Sequence, residues 1–252
     1  MSDINACICS FFMNNIDKKT VDIQRKVVEK FNPQKYSHYS IQTDLRHGAA
    51  MDMVWCLNGI EHPTFKGHNV PKRFDHDVIL FLDVDAIPLN DFALDDVIGK
   101  AAKGYLAGNV QRSNHIQNDQ HLFVAPSVLA ISIDTFITIG KPSGLETKRA
   151  DVAEEITYAA EKSGIVPIDF YLPLCYDEAP AECPSWALKD GMPVYGRRTT
   201  FGILAPKDGP TGGGDKARDV PMFFHSFQIF HPGVQERFHK KCEDVLGEEV
   251  GK

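Results

Sequence analysis

Apolar and polar residues recur with two different periods along the first 90 residues, and the change of period predicts strands and helices in turn. Residues 6–12, 36–43 and 77–82 are predicted to be strands, and the last is a continuous apolar run of the kind buried on both faces. Between them, residues 17–33 and 47–59 carry apolar positions at helical spacing. This strand–helix order predicts right-handed crossovers and a mostly parallel α/β sheet.

The second half of the chain is less regular, and its pattern predicts strands at 104–111, 128–133, 192–202 and 221–227 and helices at 151–164 and 234–247. Residues 205–220 are rich in glycine and have no apolar period, so we expect a mobile loop there. Because the chain shows neither an internal repeat nor a linker, we expect one domain over residues 1–252.

Composition narrows the range of partners. The 252 residues include 27 Lys and Arg against 34 Asp and Glu, a formal charge of −7. An acidic chain is disfavoured as a nucleic-acid binder, and it needs a local countercharge such as a metal ion to handle an anionic substrate. No apolar run reaches the roughly 18 residues of a transmembrane helix, so no transmembrane segment is expected.

The N-terminus and the cysteines favour a cytoplasmic protein. Asp3 stands where a secretion signal carries Lys or Arg. The six cysteines form no CxxC pair, a pattern that favours reduced thiols over disulfides or a zinc site: Cys7, Cys9, Cys56, Cys175, Cys183 and Cys242.

Two carboxylates follow the third predicted strand, in the stretch VILFLDVDAIPLN at 78–90. Asp83 and Asp85 are two residues apart, so in an extended segment both side chains point the same way. Ligands of open α/β sheets bind at the carboxyl ends of strands, and paired carboxylates suit Mg²⁺ or Mn²⁺. Asp-x-Asp is common, and its other interpretation is a polar strand end. We favour a metal site, because burying unpaired carboxylates is costly without a cation.

An α/β first half followed by an apolar strand that runs into Asp-x-Asp, here FLDVDAIP, resembles the glycosyltransferases of the GT-A fold. The resemblance covers nearly the whole chain in order of elements. It implies a GT-A-like (Rossmann-like), mostly parallel central sheet flanked by helices, with a smaller mixed C-terminal region on the acceptor side. Residues 1–90 would form the nucleotide-binding half and residues 91–252 the acceptor-side half. In that superfamily the motif holds a divalent cation against the diphosphate of a nucleotide sugar.

The resemblance also implies a third metal ligand near the C-terminus. His225 follows the apolar strand in PMFFHSF, where many such transferases supply an imidazole. A partly buried, hydrogen-bonded histidine is the alternative interpretation. His231 is a rival ligand that lies beyond the strand.

Many of these enzymes carry an acidic residue at a helix start that faces the acceptor. Asp151, Glu154 and Glu155 match that position, and an inverting displacement would use one of them as its base. A retaining displacement would need a different arrangement. Asp151 and Glu154 also have the spacing of a capping box, which is compatible with a place on the rim of a site.

The donor would lie across the ends of the first two strands and the start of the second helix. The residues expected there are Ser10, Phe11, Phe12, Thr43, Asp44, Arg46, His47, Asp83, Val84 and Asp85. Free N–H groups and positive charge at Arg46 and His47 could meet phosphate. Arg197 or Arg198 could lie near the diphosphate or the acceptor, and the loop at 205–220 could fold over the bound donor and exclude water.

These features predict a hexosyltransferase that moves a sugar from a nucleotide diphosphate donor, a UDP-sugar foremost, to a hydroxyl acceptor such as a glycan, with Mn²⁺ or Mg²⁺ as cofactor. One rival is a haloacid dehalogenase-like phosphatase that uses Asp83 as nucleophile and Asp85 as acid. Its motif lies near the N-terminus, whereas two strand–helix units precede the motif here. A sugar-nucleotide nucleotidyltransferase would need a glycine-rich loop after the first strand, and SFFMNNIDKK has no glycine. A carbohydrate- or metal-binding module without turnover is the non-enzymatic alternative.

Overall fold

The structure, a computed structural model, describes residues 4–113, 121–174, 186–189, 192–195, 221–226, 229–230 and 232–247. Strands in this part of the chain are numbered in order: β1 (Ala6–Phe12), β2 (Ser37–Gln42), β3 (Val78–Leu82), β4 (Ala86–Pro88), β5 (Leu106–Arg112), β6 (Leu122–Ser132), β7 (Ile168–Tyr171), β8 (Trp186–Lys189), β9 (Met192–Tyr195) and β10 (Phe223–His225). The helices are α1 (Lys18–Lys30), α2 (His47–Leu57), α3 (Ala93–Ala102), α4 (Ile133–Thr138), α5 (Glu154–Ser163) and α6 (Pro232–Leu246), with a 3₁₀ turn at Pro63–Phe65.

Six of the strands form the central sheet, in the order β2-β1-β3-β6-β5-β7. The pairs β1–β2, β1–β3 and β5–β7 are parallel, and β6 runs antiparallel to both of its neighbours. Two smaller antiparallel sheets pair β4 with β10 and β8 with β9. The predicted α/β class, with a mostly parallel central sheet flanked by helices, is confirmed.

The core lies on both faces of the sheet, and β3 contributes to both. Leu80 and its neighbours on one face pack with α3, whereas Ile79 and Phe81 pack with α2 and α5 on the other. All five residues of β3 are buried, as its continuous apolar run predicted. This burial fixes the end of β3, from which Asp83 and Asp85 follow.

The last helix, α6, packs against α1 and closes a third apolar cluster that also includes residues of β4 and β10. Polar contacts fix the register of the two helices. Thr20 Oγ1 donates to Gln235 Oε1 over 3.1 Å and contacts His239 Nε2 at 2.8 Å. The C-terminal part of the chain is therefore tied to the first helix.

The structure departs from the predicted elements in the second half. Helix α3 has no counterpart in the prediction, and β6 begins at Leu122 instead of residue 128. A proline usually breaks a strand because it has no N–H to donate. Pro126 lies in a bulge of β6 opposite Asn109, where the β5–β6 register shifts, and neither neighbouring strand requires a donor at this position. Helix α5 begins at Glu154, three residues later than predicted.

Several predictions concern residues outside the described ranges. They are the loop at 205–220, Arg197, Arg198, the alternative ligand His231, and two of the cysteines, Cys175 and Cys183. The four described cysteines are free and buried. In the described ranges, no helix has the length and apolar character needed to cross a membrane.

Helix α2 approaches the segment around Gly144 backbone to backbone. A Cβ placed on Gly48 would lie 2.2 Å from the carbonyl oxygen of Gly144. On the next turns of the same helix, the buried Asp52 carboxylate accepts hydrogen bonds from Gly144 N at 2.7 Å and from Ser143 Oγ at 2.6 Å. Helix α2 is thereby fixed to the chain that leads to α5.

A buried polar network joins three elements below the end of β1. Gln24 Nε2 on α1 donates to Ser10 Oγ over 3.2 Å, and Ser10 Oγ lies 3.1 Å from His38 Nε2 on β2. Burial lowers the pKa of His38 to about 4, and the charge of Arg25 acts in the same direction. His38 is therefore neutral in the folded protein at neutral pH.

Substituting Gly48 by alanine is expected to destabilise the protein by about 1–3 kcal/mol, because the new methyl group must displace backbone atoms that cannot rotate away. Gly99, inside α3, is the matched control: a Cβ there meets nothing within 4 Å. Gly99→Ala should stabilise the fold by up to about 1 kcal/mol through helix propensity. Urea unfolding measures both, and equal effects of the two substitutions would contradict the predicted contact.

Stability should fall as the pH drops from about 6.5 to 4, in part because of His38. Its pKa is about 4 in the folded chain and near 6.5 when unfolded, so within this window the unfolded state binds the extra proton. The contribution of His38 to the free energy of unfolding is complete above pH 6.5. About 3 kcal/mol of it is lost as the pH falls to 4. Urea unfolding against pH should give a flatter profile for His38→Gln than for wild type, and parallel profiles would contradict the assignment.

Candidate metal centre and donor cavity

Asp83, Asp85 and His225 come together at the carboxyl end of β3. One ligand atom from each of the three side chains lies within 4.8 Å of the other two. His225 Nε2 is 3.4 Å from Asp85 Oδ1 and 3.8 Å from Asp83 Oδ2. Asp85 and His225 are buried, and Asp83 is partly exposed.

The pairing of β4 with β10 brings His225 to the two aspartates, although 140 positions separate Asp85 and His225 in the sequence. His225 faces Ala86 in the antiparallel ladder, and Ser226 N donates to the carbonyl oxygen of Asp85 over 2.9 Å. His225 N donates in turn to Leu174 O at 2.9 Å. The backbone of the third ligand is thus held on both sides.

Hydrogen bonds with β6 and α1 fix the turn that carries the two aspartates. Asp83 N donates to Ser127 O in the bulge of β6 over 3.1 Å. The amide of Gln24 reaches Asp83 O and Ala86 O, each at 3.4 Å. The bulge that Pro126 occupies therefore has a role at this edge of the sheet, since it presents a carbonyl to the turn that carries Asp83 and Asp85.

The oxygen and nitrogen atoms that these three side chains offer fit a divalent cation. Two ligands that each lie about 2.1 Å from one ion are at most about 4.2 Å apart, and both distances to His225 meet this limit. Carboxylate and imidazole donors suit Mn²⁺ and Mg²⁺ bound through open coordination positions. Two carboxylates crowded at a buried edge also need positive charge nearby.

His47 contacts the first of these two carboxylates. Its Nε2 lies 3.1 Å from Asp83 Oδ1. Burial lowers the pKa of His47, but the carboxylates of Asp83, Asp85 and Asp151 outweigh it, so the pKa lies above its ordinary value. For Asp83, burial raises the pKa, and the charges of His47 and His225 hold it below its usual range.

A cavity of about 240 Å³ opens beside Asp83 and Asp85. Its lining includes eight residues that the sequence predicted for donor binding: Phe11, Phe12, Thr43, Arg46, His47, Asp83, Val84 and Asp85. Sequence reasoning missed six others: Met13, Ile16, Leu45, Ala50, Ile229 and Phe230. All six are apolar, and outside a regular period they give no signal of a ligand. One end of the cavity lining is therefore acidic, and much of the remainder is apolar.

Two residues predicted for donor binding lie outside this lining. Ser10 is buried in the network with Gln24 and His38. Asp44 accepts a hydrogen bond of 2.9 Å from Asn14 Nδ2. Arg46, in contrast, is at the cavity and pairs with Glu146 at 2.9 Å.

The three acidic residues near the start of α5 lie in different surroundings. Glu154 is fully buried and binds Ser113 Oγ at 2.8 Å, His121 Nδ1 at 2.6 Å and Asp151 N at 2.6 Å. Glu155 pairs with Arg149. Asp151 is partly exposed and close enough to His47 to raise its pKa.

The contacts of Glu154 include half of the predicted capping box, because its carboxylate accepts from the backbone N–H of Asp151. Its other partner, His121, is also held by Glu161 at 3.3 Å and stacks on Tyr158. Burial lowers the pKa of His121, and the two glutamates raise it above its ordinary value. Glu154 thus organises the start of α5 and the chain that follows β5.

No protein-family model and no curated protein matches the sequence. Among solved structures, the chain is similar to a mutant of β1,4-galactosyltransferase 7 from Drosophila in complex with manganese, UDP-Gal and xylobiose, with 15% identity, a TM-score of 0.40 and coverage of 66% of this chain and 65% of that one. It is also similar to the galactosyltransferase LgtC in complex with donor and acceptor sugar analogs, with 11% identity, a TM-score of 0.44 and coverage of 98% and 97%. Both of these solved structures are galactosyltransferases.

Proposed function

We propose that the protein is a metal-dependent glycosyltransferase that moves a sugar from a nucleotide diphosphate donor, with UDP-sugars as the donor class, to a hydroxyl acceptor such as a glycan. The observation that carries the proposal is the meeting of Asp83, Asp85 and His225, with the two aspartates also lining a cavity whose other walls are largely apolar. A nucleotide sugar needs both parts, since its diphosphate is anionic and its base is a flat, mostly apolar ring.

The three side chains would hold Mn²⁺ or Mg²⁺. A divalent cation, when bound, supplies a Lewis acid that neutralises charge on the departing diphosphate. Phe11, Phe12 and Leu45 offer apolar surface for the base, and Arg46 places a guanidinium at the same cavity. The chain's own contribution is to fix the diphosphate end and the base end of the donor relative to each other.

Asp151 is the residue we propose as the base that takes the proton from the acceptor hydroxyl. Its negative charge raises the pKa of His47, whose Nε2 lies 3.1 Å from Asp83 Oδ1. Glu154 and Glu155 match the same motif, but the one is fully buried among three donors and the other is paired with Arg149. Asp151 is partly exposed, with its Oδ1 accepting from Val152 N over 2.8 Å, and a carboxylate that reaches solvent suits proton removal from an entering substrate.

Removing a metal ligand should abolish transfer. Release of UDP from a panel of UDP-sugars with Mn²⁺ and simple saccharide acceptors should fall more than about 100-fold in Asp85→Ala and His225→Ala, because the cation loses a ligand. His68→Ala is the matched control, since His68 is an exposed histidine away from the cavity lining.

Two results would contradict the proposal. One is full activity of Asp85→Ala. The other is hydrolysis of phosphate monoesters without turnover of any nucleotide sugar, which would favour the phosphatase that the Asp-x-Asp motif also allows.

Substitution of Asp151 by asparagine should lower kcat by about 100-fold or more while leaving Mn²⁺ and donor binding near their wild-type values, because the amide cannot accept the proton. Glu155→Gln is the comparison, since it removes a carboxylate of the same motif. Transfer rates at saturating donor and the Kd of UDP measure the two effects. A larger loss of kcat in Glu155→Gln than in Asp151→Asn would exchange their roles.

A further inference from the structure

We infer that His47 is a positioning residue for the metal centre: its Nε2–H holds one oxygen of Asp83 so that the other is presented to the cation. This inference rests on the proposed metal site and adds a residue that is not itself a ligand. His47 is the first residue of α2, and its Nε2 is 3.1 Å from Asp83 Oδ1.

The two oxygens of Asp83 have different neighbours. Oδ1 faces His47 Nε2 at 3.1 Å, whereas Oδ2 is the oxygen 3.8 Å from His225 Nε2. His47 Nε2 and Asp83 Oδ1 are within ion-pair distance, and because a carboxylate oxygen only accepts, a hydrogen bond here requires the hydrogen to be on Nε2. With Oδ1 engaged, rotation of the carboxylate is restricted, and Oδ2 remains on the side of Asp85 and His225.

Such a contact matters because Asp83 is the more exposed of the two aspartates. Its side chain is 21% exposed against 7% for Asp85. Burial and its place before β4 already restrict Asp85. The carboxylate of Asp83 contacts the imidazoles of His47 and His225, and these contacts restrict its direction. Hydrogen bonds to a ligating carboxylate from outside the ligand set orient it and tune the affinity of the metal.

His47 is itself held in place by the fold. Gly48, the next residue, is packed against the backbone at Gly144, and Asp52 fixes the same helix to residues 143 and 144. On its other side, the ring of Phe11 meets the imidazole edge to face at 6.0 Å. The position of the Nε2–H therefore follows from packing of α2 and is set before any ligand enters.

A direct contact between His47 and the donor phosphate is the competing role, and the sequence alone favours it because His47 opens a helix. The two roles differ in what they do to the metal. A positioning residue changes the affinity for Mn²⁺ in the absence of any nucleotide, whereas a phosphate contact changes only the affinity for the nucleotide.

The test is Mn²⁺ binding to the full chain without nucleotide, followed by electron paramagnetic resonance of the free ion. His47→Ala should raise the Kd of Mn²⁺ by about 10- to 100-fold, the usual loss when a hydrogen bond to a ligating group is removed. His47→Gln should recover most of the affinity, since its amide nitrogen reaches a similar place and still donates. His68→Ala should leave the Kd unchanged, and thermal melts show which variants are folded.

Each outcome bears on a separate claim. If wild type and His47→Ala bind Mn²⁺ saturably with the same Kd, the positioning role is wrong and the proposed function stands. Weakened binding of UDP with an unchanged Kd of Mn²⁺ also overturns it, in favour of the phosphate contact. Equal losses in His47→Gln and His47→Ala contradict the hydrogen bond as the cause. Absence of saturable Mn²⁺ binding in wild type overturns the proposed function together with this inference.

Discussion

The short antiparallel ladder between β4 and β10 is the contact on which the candidate site depends. Three residue pairs form it, and the last of them places His225 beside Ala86, one residue after Asp85. The central sheet positions only the two aspartates, because β3 ends immediately before them. The imidazole of His225 is carried by β10, in the C-terminal part of the chain, and the packing of α6 on α1 supports β10. The candidate metal centre is therefore built by long-range contacts, and it depends on the C-terminal packing.

The site also shows a conflict between stability and function. Asp83, Asp85, His47 and His225 crowd charged and polar groups at the end of a buried strand, where apolar side chains would pack at lower cost. The pKa directions of His47 and Asp83 record the outcome, since burial opposes the charged forms and the neighbouring charges prevail. A fold selected only for stability would not keep this arrangement, whereas a site for an anionic substrate and a cation requires it.

The sequence predicted the first half well because each signal there is local. The continuous apolar run VILFL predicts a strand buried on both faces of a sheet, and the paired aspartates come directly after it in the sequence. The second half depends on tertiary context. Pro126 argues against a strand unless the bulge opposite Asn109 is known, and the apolar wall formed by Leu45, Ile229 and Phe230 has no period to reveal it. The contact of His47 with Asp83 likewise could not be predicted from the sequence, because nothing in the sequence pattern relates a histidine to an aspartate 36 positions away.

The close approach of Gly48 and Gly144 has a consequence for the variation of this chain over time. Neither position can gain a side chain while the other backbone stays where it is, so the two are coupled although 96 residues separate them. Chains descended from the same ancestor should keep both positions minimal or change them in concert with a shift of the helix. A joint absence of side chains at these two places would be a more discriminating mark of common ancestry than the short acidic motif, which arises readily by convergence.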